Sequence, residues 1–213
     1  MKKHQSIPDK HSLPDYAKVS DKDNVIGGSF YFDWQWRDSG VRKGVIDVFQ
    51  SDFKLEANDF IIKQVKDHFE AYNERYGIYF THDFKFTTST SLEQKREFNE
   101  QFSEVYKKYR YLTEKTKKVL NGNLNVLFVL SGPLETDEAI QLSRTLRSQF
   151  LLKHFKILHI PFRNFGNNEV EHPDIISRAI DNTSNSWQGN NKAWDLAFND
   201  IHISPPTCKI TSS

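Results

Sequence analysis

Read from the amino end, the chain shows no sustained hydrophobic period over residues 1 to 24, which are polar, contain Pro8 and Pro14 and read as a loose arm. After Gly27 and Gly28, Phe30, Phe32, Trp34 and Trp36 recur at period two with Tyr31, Asp33 and Gln35 between them, the pattern of a short strand or an extended loop. From Val41 the spacing changes, and Val41, Val45, Val48 and Phe49 predict a short amphipathic helix ending near Asp52. Residues 57 to 71 place Phe60, Ile61, Val65 and Phe69 on one helical face, with Asn58 or Asp59 as N-cap, and equally allow a short strand at the start. Tyr76, Ile78 and Phe80 then alternate as in a strand, which puts His82 two residues further along the same face.

The clearest element runs from Ser91 to Leu120. Phe98, Phe102, Val105, Tyr109, Leu112, Thr116 and Val119 recur at steps of three or four while Glu and Lys fill the other face, which predicts a long amphipathic helix closed by Asn121-Gly122. The unbroken apolar run NVLFVLSG suits a strand covered on both faces. A helix opening near Thr136 follows, with Ala139, Ile140, Leu142, Leu146 and Phe150 on its apolar side, and KILHIPF supplies another strand. Strand, helix, strand at this spacing is a βαβ unit with parallel strands, so the fold class is α/β with a parallel-sheet core, the long helix and flanking helices. Beyond Pro161 the chain is loop-rich. It predicts a brief helix over 173 to 180 and a final helix starting at Trp194, after Trp187 and a Gly-Asn-Asn turn. The pattern gives one α/β domain over 25 to 203, after the arm and before a tail from 204 to 213.

Charge and composition narrow the function classes. Lys plus Arg (29) nearly cancels Asp plus Glu (28) in 213 residues, so no global field favours nucleic acid or an anionic membrane. The single cysteine, Cys208, rules out an intrachain disulfide and a Cys-based zinc set. The polar N-terminal region has no apolar stretch of the kind a signal peptide or anchor needs, so a cytoplasmic location is expected. With 17 Phe, 8 Tyr and 4 Trp the core is expected to be built of rings, and some of these rings are available to stack on a sugar or base.

Open α/β sheets bind ligands at the carboxyl ends of their strands, which nominates Ser131 and Gly132 after the first strand and Arg163 and Asn164 after the second. Neither GxGxxG nor GxxxxGK[ST] accompanies them, and no cofactor is implied. His82 is a candidate general base if a carboxylate orients it, because imidazole is the side chain suited to proton transfer near neutral pH. Asp83 is adjacent and Asp33 in FDW is the other candidate acid; a histidine that only ties down a loop is the competing reading. His154, His159 and His172 show no metal-ligand spacing, so no metal is expected, and no GxSxG elbow marks a serine nucleophile.

In order along the chain, Phe32-Asp33-Trp34, the helix of Val45 to Phe53, Phe80-Thr81-His82-Asp83, YKKYRY over 106 to 111 and Val126 to Val129 resemble the motifs of a family of bacterial and large-virus proteins described as papain-like cysteine peptidases. The similarity spans roughly residues 29 to 195. The family's entry motif, Ser-Leu-Gly-x-x-Cys, is met only by Ser12-Leu13, with Pro14 in place of the glycine and Ala17 in place of the cysteine. The resemblance implies hydrolase ancestry with His82, Asp83 and Asp33 as site residues, while the absence of the thiolate that such a mechanism needs implies either a degenerate member without peptidase activity or a family whose peptidase description does not match its chemistry. The alternative is a carbohydrate-related transferase or glycan-binding protein, with Trp34, Trp36, Trp187 and Trp194 stacking on sugar beside Asp33, Asn190 and Asn191. The expected partner is a small molecule, glycan or peptide, with no nucleic acid and no membrane; the oligomeric state is left open.

Overall fold

The computed structural model describes residues 31–32, 36–37, 42–122, 125–131, 134–150, 152, 154–160, 170–178, 191–199 and 201. The chain divides into two compact units, one of residues 29–118 and one of residues 1–28 with 119–213. It mixes helices with two kinds of sheet: an antiparallel one in the first unit and a parallel one in the second. Among the described residues no helix is long and apolar enough to cross a membrane.

In the 29–118 unit, β1 (Trp36–Arg37), a π-turn over Arg42–Ile46 and α1 (Asp47–Gln50) precede β2 (Phe60–Val65), β3 (His68–Asn73), β4 (Ile78–Tyr79) and α2 (Ser91–Leu120), whose last two residues belong to the other unit. The sheet order is β1-β4-β3-β2, all antiparallel. A helical face over 57 to 71 does not form: the stretch is a hairpin, paired from Phe60 with Asn73 to Val65 with His68. Its turn puts Lys66 at φ 56, a left-handed conformation that Gly or Asn adopts more readily. A second turn, between β3 and β4, holds Gly77 at φ 64. The rings of Phe60, Phe80, Phe84 and Phe98 pack edge-on and stacked, seating the sheet and the 80–84 segment on α2.

The α2 start has a physical cause. Gln94 N donates to Thr90 O (3.0 Å), the first hydrogen bond of the helix, and Thr90 Oγ1 donates to the Glu93 carboxylate three residues on (2.5 Å), tying the first turn together. The segment leading into it is stitched along the helix, as Gln101 accepts from Lys85 N (2.9 Å) and donates to Lys85 O (2.8 Å) while Glu97 accepts from Thr87 and Thr88.

In the other unit, β5 (Val126–Ser131), α3 (Thr136–Gln149) and β6 (Phe155–Ile160) form the expected βαβ unit, with β5 and β6 parallel. The stretch expected to be a brief helix over 173 to 180 instead holds β7 (Ile175–Ser177), which adds in parallel to β6. The β-branched pair Ile175-Ile176 suits a pleated surface, and an open strand beside it decides the matter. One sheet face carries Leu158 and Ile160 and packs α4 (Asn191–Phe198) through Ala197 and Phe198. The opposite face carries Phe155, over whose ring the Arg147 guanidinium of α3 lies at 4.9 Å. Asp174, buried just before β7, accepts from Arg147 Nη2 (2.5 Å), Arg147 Nε (3.1 Å) and Ser143 Oγ (2.5 Å), fixing α3 against the amino end of that strand. Burial alone would raise its pKa, but the hydrogen bonds from Arg147 and Ser143, with the charges of Arg147 and His172 behind them, hold it below the usual carboxylate value.

Candidate functional site

His82 and Asp83 fall on a turn over 81–83 that follows β4, not on a continuing strand. Two carboxylates hold that turn. Thr81 Oγ1 donates to Glu70 Oε2 (2.7 Å), and Glu70, itself buried, meets His68 Nε2 through its other oxygen (2.6 Å). On the other side of His82, Asp83 Oδ2 accepts from Tyr109 Oη (2.7 Å) and Oδ1 accepts from Lys108 Nζ, leaving the Asp83 side chain only 1% exposed. His82 is thereby presented to solvent between two anchored neighbours. Asp83 is an anchor to α2 in this arrangement, because both its oxygens are engaged from the helix.

His68 is held by two carboxylates. Its Nε2 meets Glu70 and its Nδ1 meets Asp67 (3.3 Å), and these two hydrogen bonds, the Glu70 one stronger, raise its pKa above the ordinary imidazole value. His68 and Glu70 stand two apart on β3 and so share a face. That signal is period two, which a helical reading of 57 to 71 conceals.

The motifs of the resemblance meet around one side chain. Tyr109, from YKKYRY, has its ring 5.3 Å from that of Tyr31 and 4.9 Å from that of Phe80, while its hydroxyl reaches Asp83. Tyr31 in turn contacts Phe32 and Phe53 and donates its backbone N–H to Thr116 Oγ1 (3.2 Å). Burial, with a smaller contribution from Tyr76, pushes the Tyr31 phenol far above its usual range, and its hydroxyl has no hydrogen-bond partner among the described residues.

A cleft of about 310 Å³ opens in the same unit between the 52–56 loop and one face of α2. Asp52, Phe53, Lys54 and Glu56 line it from the loop; Tyr106, Tyr109, Arg110, Thr113, Glu114 and Lys117 line it from the helix, at the three- and four-residue steps of a single face. The loop backbone is strained here, with Asp52 at φ 58 and Phe53 at φ 61, left-handed values that are unfavourable for a bulky residue. Lys117 pairs with Asp52 (2.7 Å), and Lys54 with Glu56 (2.9 Å), whose carboxyl is lowered chiefly by the Lys54 hydrogen bond. Tyr106 is 40% exposed. An exposed ring, hydrogen-bonding side chains and both signs of charge in a concave site suit a small polar ligand with a flat face.

Of the other residues nominated from the sequence, Asp33, Trp34, Gly132, Arg163, Trp187 and Asn190 lie outside the described residues. Ser131 closes β5, with its side chain outside them. At the carboxyl ends of the neighbouring strands, His159 Nδ1 lies 3.3 Å from Ser177 Oγ, which also accepts from Val170 N (3.3 Å). Among the described residues no group of three or more His, Cys, Asp or Glu side chains is gathered to hold a metal. Comparison with known proteins returns no match: no protein family fits the chain, and no curated protein or solved structure matches it.

Proposed function

We propose that this chain is a relative of the papain-like hydrolases that has lost its nucleophile and acts as a binding protein, holding a glycan-sized ligand in the cleft between the 52–56 loop and α2. The observation that carries this reading is the origin of the cleft lining. Tyr106, Tyr109 and Arg110 come from YKKYRY and Phe53 from the 45–53 stretch, so the segments that resemble the family frame a concave, partly aromatic site. Strain retained at Asp52 and Phe53 beside that site supports a role for the loop, because such conformations persist where surrounding structure enforces them. A hydrolase needs a thiolate or an equivalent nucleophile activated by a held base. Asp83, the acid beside His82, is engaged by Lys108 and Tyr109, which gives hydrolysis less support than binding.

Calorimetric titration with a panel of neutral and acidic monosaccharides tests the reading. Binding is expected for part of the panel and is expected to weaken at least about tenfold in Tyr106→Ala, with an unchanged melting temperature, since Tyr106 is half out of the core. A flat response across the panel removes the glycan reading. Turnover of ester or peptide substrates that disappears in His82→Ala restores a hydrolase instead.

A further inference from the structure

We infer that the cleft selects sugars that carry a carboxylate, and that Arg110 is the residue that reads it; this rests on the glycan-binding reading above. The argument begins with which charges are already satisfied. Asp52 is paired with Lys117, and Glu56 with Lys54 and, at 3.6 Å, Arg75. Of the charged side chains lining the cleft, Arg110 and Glu114 have no hydrogen-bond or ion-pair partner among the described residues. They stand four apart on the exposed helix face and do not pair with each other. In this order, with the base amino-terminal to the acid, such a pair gains less than in the reverse order. The lining residues carry as many acids as bases, so a ligand anion is drawn by Arg110 itself and not by a general field.

A guanidinium is a planar fork that grips a carboxylate through two parallel hydrogen bonds, a geometry a hydroxyl cannot return. Tyr106 stands one helical turn before Arg110 and offers an exposed ring to the apolar face of a pyranose. Glu114 stands one turn after it, with Thr113 beside it. An ionised Glu114 only accepts hydrogen bonds and repels a carboxylate placed at its own end, which leaves Arg110 and the Tyr106 side of the face for the ligand anion. Ring and cation thus stand one helical turn apart on a single helix face, which orients a hexuronic acid with its ring on Tyr106 and its carboxylate at Arg110.

Calorimetric titration of the full chain with glucuronate and galacturonate, against glucose, galactose and acetate, tests this. The uronates are expected to bind at least about tenfold more tightly than their neutral counterparts and than acetate. That preference is expected to collapse in Arg110→Gln, to be only partly kept in Arg110→Lys, and to survive in Glu114→Gln. Circular dichroism and melting of each variant confirm that the fold is intact. Neutral sugars binding as tightly as uronates overturn the inference and leave the glycan reading standing. Binding of no sugar at all overturns both. Acetate matching the uronates shows an anion site without sugar recognition and overturns the inference, as does a uronate preference that persists in Arg110→Gln.

Discussion

Each unit buries one aspartate against a helix, and the two are held by different chemistry. Asp174 receives a planar fork from Arg147 together with the Ser143 hydroxyl, all from α3. Asp83 receives an ammonium and a phenol, Lys108 and Tyr109, from successive positions of α2. The surroundings differ as well. Asp174 sits at the amino end of β7, whereas ligands of open α/β sheets gather at the carboxyl ends, so its role is to set where β7 lies along α3. Asp83 sits on a turn next to an exposed histidine, and its partner Tyr109 also lines the cleft. The same device, a buried carboxylate tied to a helix, is architectural in one unit and supports the candidate site in the other.

The largest effect that separates the two belongs to Asp174→Ala. It strands the buried Ser143 hydroxyl and removes from Arg147 the carboxylate that accepts from its Nε and Nη2, and because the Arg147 side chain is 47% exposed, water takes over part of that loss. We expect the unfolding free energy to fall by about 3 kcal/mol, read from urea denaturation. Since the folded pKa of Asp174 is depressed, its contribution is present above the unfolded value of about 3.9 and is lost as pH falls through the folded one. The gap between wild type and Asp174→Ala is therefore expected to narrow below about pH 4. A constant gap down to pH 2 would show that packing, not charge, made the difference.

Next in size comes a pair of tyrosines whose rings lie 5.3 Å apart. Tyr109→Phe removes a hydrogen bond to a buried carboxylate and should cost about 2 kcal/mol. Tyr31→Phe removes a buried hydroxyl that has no partner among the described residues, and should leave stability unchanged or raise it by about 1 kcal/mol. Thermal melts of the two variants side by side decide this: equal destabilisation would mean that the Tyr31 hydroxyl is bonded as well, and an unchanged melt in Tyr109→Phe would mean that Asp83 gains nothing from Tyr109.

The same contrast marks what the residue pattern reveals. The α2 helix is legible because its apolar stripe and its Asn121-Gly122 end agree, and the βαβ unit is legible because two largely apolar strands flank an amphipathic helix. The β2–β3 hairpin is not, since Phe60, Ile61, Val65 and Phe69 satisfy helical spacing and the Lys66-Asp67 turn lacks the Asn-Gly cue that announces a hairpin. At three residues β7 is too short to carry a period, and its existence depends on the edge of β6. For the candidate site, the chemistry of His82 and Asp83 can be read locally, but Lys108 and Tyr109 reach Asp83 from 25 and 26 residues away. The cleft is foreshadowed only by the helix stripe of Tyr106 to Lys117; the loop that faces it is supplied by tertiary structure.

The smallest expected effect concerns the other anchor of the His82 turn. His68 lies between Asp67 and Glu70, and its raised pKa follows first from the Glu70 hydrogen bond and then from that of Asp67. A histidine whose folded pKa is raised contributes stability that is complete below its unfolded value of about 6.5 and is lost as pH rises through the folded one. An NMR titration of the His68 imidazole should give a midpoint above 6.5 that moves down in Glu70→Gln. Because the Glu70 carboxylate also accepts from Thr81, deprotonation of His68 changes the charge at one oxygen of a group whose other oxygen holds the turn. The amide signals of Thr81, His82 and Asp83 should therefore follow the His68 midpoint in wild type and cease to follow it in Glu70→Gln. A His68 midpoint unmoved by that substitution would assign the shift to Asp67 on the exposed hairpin turn.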